Sequence, residues 1–486
     1  VGVREGTTGW AWVVAAGHAA VLLAVAGRYG FHRDELYFLE AGQHLALGYV
    51  DQPPLTPLLA RVQQDVLGTS PAALRVVPAL VSAASVVLAA VLARELGGGR
   101  RAQVVAALSV AGAAFVLTTG HLLSTATLDF ALWLGLVVVA ARLLRTGDAR
   151  WWLAHGAVAG VALWNKHLVV LLTLALLGGL AADRRRDLLA TWWLPAGGLV
   201  AVAVAAPTIL WQATHGWPQV EMAAALADRL GAENRATLLP LQLLLLGPAL
   251  VPLAWVGGRW LAGRDPAGRP FRPLLWAYAF GLLLTLVTAG RPYYPLPLLA
   301  GLVVAGAVAT QARWPRLAPG LVVVNALVAI PLALPVLPAT LLPDSPAAAV
   351  NDTLAEQVGW PSLARTVADV VAELPPDERD GVVLLTGSYG EAGALDRYGP
   401  ALGLPRAHSG HNSYWHWRRP TGDDATVVAV RLPETVLEGQ FDTCDQAATV
   451  DNGLGVDNEA QGAPVWVCRG LRGTWPERWP TFRHYS

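Results

Sequence analysis

The stretch FHRDELYFLEAGQHLALGYVDQPPLTPLL, residues 31–59, lies between two apolar runs and carries Arg33, Asp34, Glu35, Glu40 and Asp51. A chain that spends carboxylates between membrane-seeking segments needs them at the membrane surface. The flanks establish that setting. Of the 486 residues, 54% are hydrophobic and 14% charged, where a soluble protein carries roughly a quarter charged residues. Runs long enough to cross a bilayer recur through the first 340 positions. The composition therefore specifies an α-helical polytopic membrane protein. A formal net charge of zero gives no sign of a nucleic-acid partner.

Spans are expected near 10–27, 74–93, 102–119, 122–141, 151–164, 168–182, 188–210, 238–257, 273–289, 295–310 and 317–338. The short pair at 151–164 and 168–182 is also compatible with one kinked helix. Alternate connections hold Arg94, Arg100 and Arg101; Arg142, Arg145 and Arg150; Arg184, Arg185 and Arg186; and Arg259, Arg264, Arg269 and Arg272. The other side is poorer in basic residues despite longer loops. The rich side is expected to be cytoplasmic. That places the N-terminus inside, and loop 28–73 and everything after 339 outside, in a multi-pass protein of the cell membrane.

The chain is expected to form two domains. Residues 1–338 make the transmembrane domain, with about 11 spans and the acidic outer loop 28–73. Residues 339–486 make a soluble extracytoplasmic α/β domain. Within the latter, GVVLLTGSY (381–389) and ATVVAVRL (425–432) read as buried strands. SLARTVADVVAEL (362–374), closed by Pro375-Pro376, reads as a helix. LPVLPATLLPDSP (334–346) suits a linker. The two cysteines, Cys444 and Cys468, both fall in this domain. A disulfide between them suits an oxidising compartment; the alternative is two buried thiols. No GxxxxGK[ST] occurs, so ATP-driven work has no visible engine.

In the outer loop, Leu58, Leu59, Val62, Val66 and Leu67 share one helical face, and Arg61, Gln64 and Asp65 the other. That pattern suits a helix lying in the membrane interface. Residues 35–47 suit a second helix, entered through Asp34. Phe31, Leu36, Tyr37 and Phe38 would hold Asp34 near the lipid headgroups, where partial desolvation makes a carboxylate a better base. Asp34 equally suits the cap of the helix starting at Glu35. Asp51 precedes Gln52-Pro53-Pro54, a stiff turn able to present a carboxylate to a metal or a sugar hydroxyl, or simply an Asx turn. Asp129, Lys166 and Arg291 are ionisable groups at or near span ends, where function is the first expectation; structural ion pairs are the alternative. Carboxylates from the loop and cations from the spans are expected to meet around one cavity and take an anionic lipid phosphate.

These residues resemble a known family. Asp34-Glu35-Leu36-Tyr37-Phe38 and Gly48-Tyr49-Val50-Asp51-Gln52-Pro53-Pro54-Leu55 are similar to paired loop motifs of a bacterial branch of glycosyltransferase family 39, the group of protein O-mannosyltransferases and aminoarabinose transferases. Further similarity lies in Asn165-Lys166, LWQATHGWP (210–218), LLLLGP (243–248), Arg291-Pro292-Tyr293-Tyr294, YGEAGALDRYG (389–399) and SGHNSYWHW (409–417). The resemblance implies a GT-C fold and an enzyme moving a hexosyl or pentosyl group from a polyprenyl-phosphate donor to a protein, lipid or glycan acceptor on the outer face. No nucleotide cofactor is implied, and a divalent cation (Mg, Mn or Zn) is compatible. It implies Asp34, with Glu35 beside it, as the catalytic acidic pair. Asp51 and Asp129 become donor or metal ligands, and Lys166, Arg291, Tyr293 and Tyr294 the donor-phosphate site. Many relatives carry lysine where Arg291 stands, which keeps charge but alters geometry. His215 is a candidate metal ligand beside Asp51. His411, Asn412, Tyr414 and Trp415 suit sugar or acceptor recognition, or a loop that packs its aromatics inward.

Two other classes fit parts of the pattern. A lipid-linked-sugar flippase would place charges along a path through the bilayer centre and show repeat symmetry; the charges here favour one rim, and no repeat is visible. A non-catalytic lipid-binding protein would have no use for the acidic motifs.

Overall fold

The computed structural model describes residues 9–485. It divides into two compact units. The first comprises Val1–Ala26, Gln52–Thr56 and Arg75–Leu334; the second comprises Gly27–Asp51, Pro57–Leu74 and Pro335–Ser486. The boundary falls inside the proline-rich junction. The outer-loop segments group with the C-terminal residues rather than with the transmembrane domain, a regrouping of the division read from the sequence.

Among the described residues, four helices have the length and apolar composition to cross a membrane: Pro71–Glu95, Thr125–Thr146, Trp193–Thr214 and Arg269–Val287. Two bent pairs, Arg100–Ala111 with Ala114–Gly120 and Pro218–Leu246 with Pro248–Gly263, each have the length and apolar composition of a broken span or a re-entrant loop. Five shorter apolar helices complete the set, Gly9–Val25, Trp151–Leu163, Val169–Ala182, Leu296–Thr310 and Leu317–Ala333. Every span read from hydropathy thus has a helical counterpart. The expected pair at 151–182 is two helices.

Of the two bent spans, the one read at 238–257 turns more sharply, by 86° against 60° for the one read at 102–119. Helix Pro218–Leu246 runs through residues expected to form outer loop and then turns by 86°. The turn sits at Gly247, whose φ is 105°. A Cβ there would lie 2.0 Å from Asn325 Oδ1, so only glycine fits. Asn325 is itself pinned, donating through Nδ2 to the Gly112 carbonyl at 2.8 Å.

The second unit holds one mixed five-stranded sheet in the order β2-β1-β3-β5-β4. Its strands are β1 Val383–Thr386, β2 Ala407–Ser409, β3 Val427–Val430, β4 Phe441–Thr449 and β5 Pro464–Leu471. β1 pairs in parallel with β2 and β3; β5 pairs antiparallel with β3 and β4. β1 and β3 are buried along their whole length, as their continuous apolar runs require. Cys444 and Cys468 are bonded across directly paired positions of β4 and β5.

Helix Arg33–Gln43 joins this unit through side chains that the motif reading turns toward lipid. Phe31, Leu36, Tyr37 and Phe38 are buried. Leu36 packs onto Gly393 so closely that a Cβ at Gly393 would sit 2.9 Å from the Leu36 Cβ. The Arg418 guanidinium pairs with Glu40 on this helix and, at 3.0 Å, with Asp396 on helix Tyr389–Tyr398. Helix Leu55–Leu67 turns its polar side to the same helix: Arg61 donates to Gln43 Oε1 at 2.7 Å, and Gln64 to the Leu39 carbonyl at 3.1 Å. Its apolar face is left bare, with Val66 73% exposed. An inverted amphipathic helix of this kind suits a lipid interface.

Candidate functional site

Two clusters of the expected site residues form, one in each unit. In the second unit, helix Arg33–Gln43 starts with a capping box. His32 accepts from the Asp34 amide, and Glu35 accepts from the His32 amide at 2.9 Å. The cap is therefore His32, and Asp34 stands one residue inside the helix. Glu35, expected to share the catalysis, is fully buried with its carboxylate on the helix start. That leaves Asp34 facing outward, its side chain 37% exposed. Asp34 Oδ1 accepts from the Tyr389 hydroxyl at 2.8 Å.

Asp51 is held in the matching way. Its Oδ1 accepts from the Tyr37 hydroxyl at 2.6 Å and from the Ser413 hydroxyl at 3.5 Å. The Tyr37 and Tyr389 rings lie 4.8 Å apart, so a tyrosine pair aims the two aspartates. Burial pushes the Asp51 carboxyl up to about 6; the Tyr37 hydrogen bond opposes this, and the nearby Asp34 carboxylate adds to it. Burial also raises both tyrosine hydroxyls well above their ordinary range, so they remain donors.

The aromatic residues divide between packing and surface. Trp415 packs against the sheet core and donates to the Trp479 carbonyl at 3.1 Å. Tyr414 is buried with its hydroxyl on Asp396. Both pack inward, the alternative that the sequence leaves open for them. Asn412 is buried in a left-handed conformation, φ 51°, and its Oδ1 has no hydrogen-bond partner among the described residues. His411 stacks between Tyr389 and His484, each ring 4.7 Å away. Trp417 is stacked 4.9 Å from His44 and 5.6 Å from Tyr37. Tyr37 and Tyr389 are members of the cluster that motif reading does not assign to it. The first lies in the Asp34 motif and reaches Asp51 across 14 residues; the second opens YGEAGALDRYG and reaches Asp34 across 355.

In the first unit, Lys166 sits in the break between Trp151–Leu163 and Val169–Ala182. Its Nζ donates to the Tyr293 hydroxyl at 3.1 Å, lies 3.9 Å from Asp129 Oδ2, and stands 5.3 Å from the centre of each of the Tyr293 and Tyr294 rings. Asn165 fixes the carboxylate, donating to Asp129 Oδ1 at 3.0 Å, while Thr56 donates to Asn165 Oδ1 at 3.0 Å. A small cavity opens between Asp129, Trp133, Tyr293 and Tyr294. Arg291 acts electrostatically on Tyr294. Its guanidinium has no hydrogen bond or ion pair among the described residues. The loop bearing it is braced by helix Pro218–Leu246: Asn234 donates to the Ala289 carbonyl at 2.9 Å, and Gln242 to that of Pro292. Two cations and two phenols so placed can hold a phosphate by charge-assisted hydrogen bonds.

His215 does not join either cluster. It ends helix Trp193–Thr214, exposed, stacked 4.0 Å from Trp211, with Nδ1 donating to the Trp211 carbonyl at 2.8 Å. Among the described residues, no group of three or more His, Cys, Asp or Glu side chains is arranged to hold a metal ion.

A family model described as dolichyl-phosphate-mannose-protein mannosyltransferase matches residues 51–211. No curated protein sequence matches the chain. Among solved structures, the apo ArnT of Cupriavidus metallidurans is similar with a TM-score of 0.57 and 17% identity, over 95% of this chain and 98% of that one. The mycobacterial arabinofuranosyltransferase AftD gives 0.48 and 16%, over 96% of this chain and 40% of its own. The apo oligosaccharyltransferase of Archaeoglobus fulgidus gives 0.46 and 13%, over 79% and 63%. The ArnT likeness gives the fold, and together with the family model it bears out the resemblance read from the motifs.

Proposed function

We propose, with a family-39-like membrane protein of the GT-C fold as the premise, that this chain is a glycosyltransferase using a polyprenyl-phosphate sugar as donor. Lys166 and Arg291 hold the donor phosphate, with the Tyr293 hydroxyl beside them. Asp34 takes the proton from the acceptor hydroxyl or amine. The acceptor atom then bonds to the anomeric carbon as the bond from that carbon to the phosphate oxygen breaks. The electron pair leaves on polyprenyl phosphate, which needs neutralisation of charge rather than a proton. One displacement inverts the anomeric centre, with no covalent intermediate. The transfer takes place on the outer face of the membrane.

The observation that carries the proposal is the Lys166 cluster. A lysine is kept between two phenols and a fixed carboxylate, beside an arginine with no hydrogen bond or ion pair among the described residues. Labelled sugar should move from membrane lipid to an acceptor in vesicles containing the chain, and not in vesicles containing Asp34→Asn. Movement of lipid-linked sugar across the bilayer without a product would replace the transferase with a transporter.

A second assignment of the base is favoured by one observation, the raised Asp51 carboxyl. A base works best with a pKa near the working pH, and Asp51 lies nearer to it than an ordinary aspartate. If ionised Asp51 contributes, transfer falls as pH drops through about 6, and Asp51→Asn removes that limb. The same shift has a stability consequence. The folded-state pKa lies above the unfolded value, so ionisation of Asp51 costs stability above about pH 6, and the cost disappears as pH falls. Thermal melting of wild type and Asp51→Asn should agree below about pH 4, the ordinary aspartate value, separate as pH rises to about 6, and keep a constant gap above that. A gap that does not change between about pH 4 and 6 would contradict the raised Asp51 carboxyl.

A further inference from the structure

We propose that the arginine-rich end of the first unit is a binding site for one anionic phospholipid, separate from the donor site. Two adjoining spaces form it. The first is a cavity of about 990 Å³ among Arg94, Arg100, Arg145, Trp260, Asp265 and Gln311, floored by the backbone of Gly97-Gly98-Gly99. The second is a groove of about 420 Å³ with Val104, Val105, Ala307, Ala318 and Pro319 on its apolar walls and Arg100, Arg101, Gln311 and Trp314 at its polar end. Arg100 and Gln311 line both spaces. A polar chamber opening into an apolar slot has the form of a headgroup and an acyl chain.

Charge selects an anion. Glu95 is 3% exposed and is shared by three arginines: Arg145 at 2.7 Å, Arg94 at 3.7 Å and Arg142 at 3.8 Å. One buried carboxylate cannot neutralise three guanidinium groups. Asp265, the other acid on the wall, is occupied in holding Trp260 Nε1 at 3.1 Å and the Ala267 amide at 2.9 Å. Arg100 and Arg101 are exposed and form no ion pair among the described residues. Arg100 lies 4.7 Å over the Trp10 ring, which fixes its position. Gln311 is also fixed: its Oε1 accepts from the Gly99 amide at 2.9 Å, leaving its NH₂ group available as a donor. Fixed, surplus donors beside an apolar slot match a phosphodiester headgroup with its tail. The aromatic rim formed by Trp314, 41% exposed, suits the headgroup level of a bilayer.

Native mass spectrometry of the full chain, delipidated in detergent and offered equal phosphatidylglycerol and phosphatidylcholine, tests this. Wild type should retain phosphatidylglycerol preferentially. At roughly fivefold per arginine near an anionic surface, Arg100→Gln/Arg101→Gln should lower its affinity by about 25-fold. Arg184→Gln/Arg186→Gln, on other arginines of the same sequence class, should leave it unchanged. A second variant, Val104→Phe, keeps every arginine and narrows the slot; it should also lose the bound lipid. No preference in wild type, or equal loss in both double variants, would overturn the proposal. So would full binding by Val104→Phe, which would reduce the site to unspecific attraction.

Discussion

Asp34→Asn is expected to lower turnover in sugar transfer by about 10²–10⁴-fold, the usual contribution of a general base, with donor affinity unchanged. The substitution is nearly isosteric. The amide oxygen it introduces can still accept from the Tyr389 hydroxyl that Asp34 accepts at 2.8 Å, so the helix start and the tyrosine pair persist. What disappears is an oxygen able to take a proton. Single-turnover transfer with bound donor separates the two quantities. Wild-type turnover in Asp34→Asn would move the base elsewhere, with Asp51 next to be tested.

Lys166→Ala should have its effect on the other quantity. A hydrogen bond between charged groups contributes about 1.5–3 kcal/mol, so donor binding should weaken by about 10–100-fold. Turnover at saturation should change less. Arg291→Ala should act in the same direction without disturbing the fold, because its guanidinium has no hydrogen bond or ion pair among the described residues. Lys166 also neutralises Asp129 and positions Tyr293, so a structural role must be separated from a binding one. Lys166→Arg keeps the charge and should recover part of the affinity. Unchanged donor affinity in Lys166→Ala would take the cluster out of the site.

The helices and their order are legible in the sequence because lipid imposes a simple rule: every span must be long and apolar. Buried strands such as Val383–Thr386 are legible for a related reason, an unbroken apolar run. What hydropathy cannot provide is the bend at Gly247, which depends on Asn325 crowding a backbone far along the chain. Nor can it show which unit the acidic loop joins. Leu36 and Phe38 have the same hydrophobicity whether they face lipid or protein. The candidate residues Asp34, Asp51, Lys166 and Asp129 are visible through motif and charge. The tyrosines that aim the aspartates are joined to them by contacts spanning up to 355 residues, which no local spacing reports. For Glu35, a capping box and a catalytic pair place the same residue type at the same position, so spacing alone does not separate them.

The proposed function depends above all on the class of donor. Purified wild-type chain should be given anomerically pure polyprenyl-phosphate sugar or the corresponding nucleotide sugar, each with a broad envelope extract as acceptor, and the anomeric configuration of the product read by NMR. Transfer is expected from the lipid-linked donor alone, with inversion and release of polyprenyl phosphate. Transfer from the nucleotide sugar, or a product of retained configuration, would contradict it.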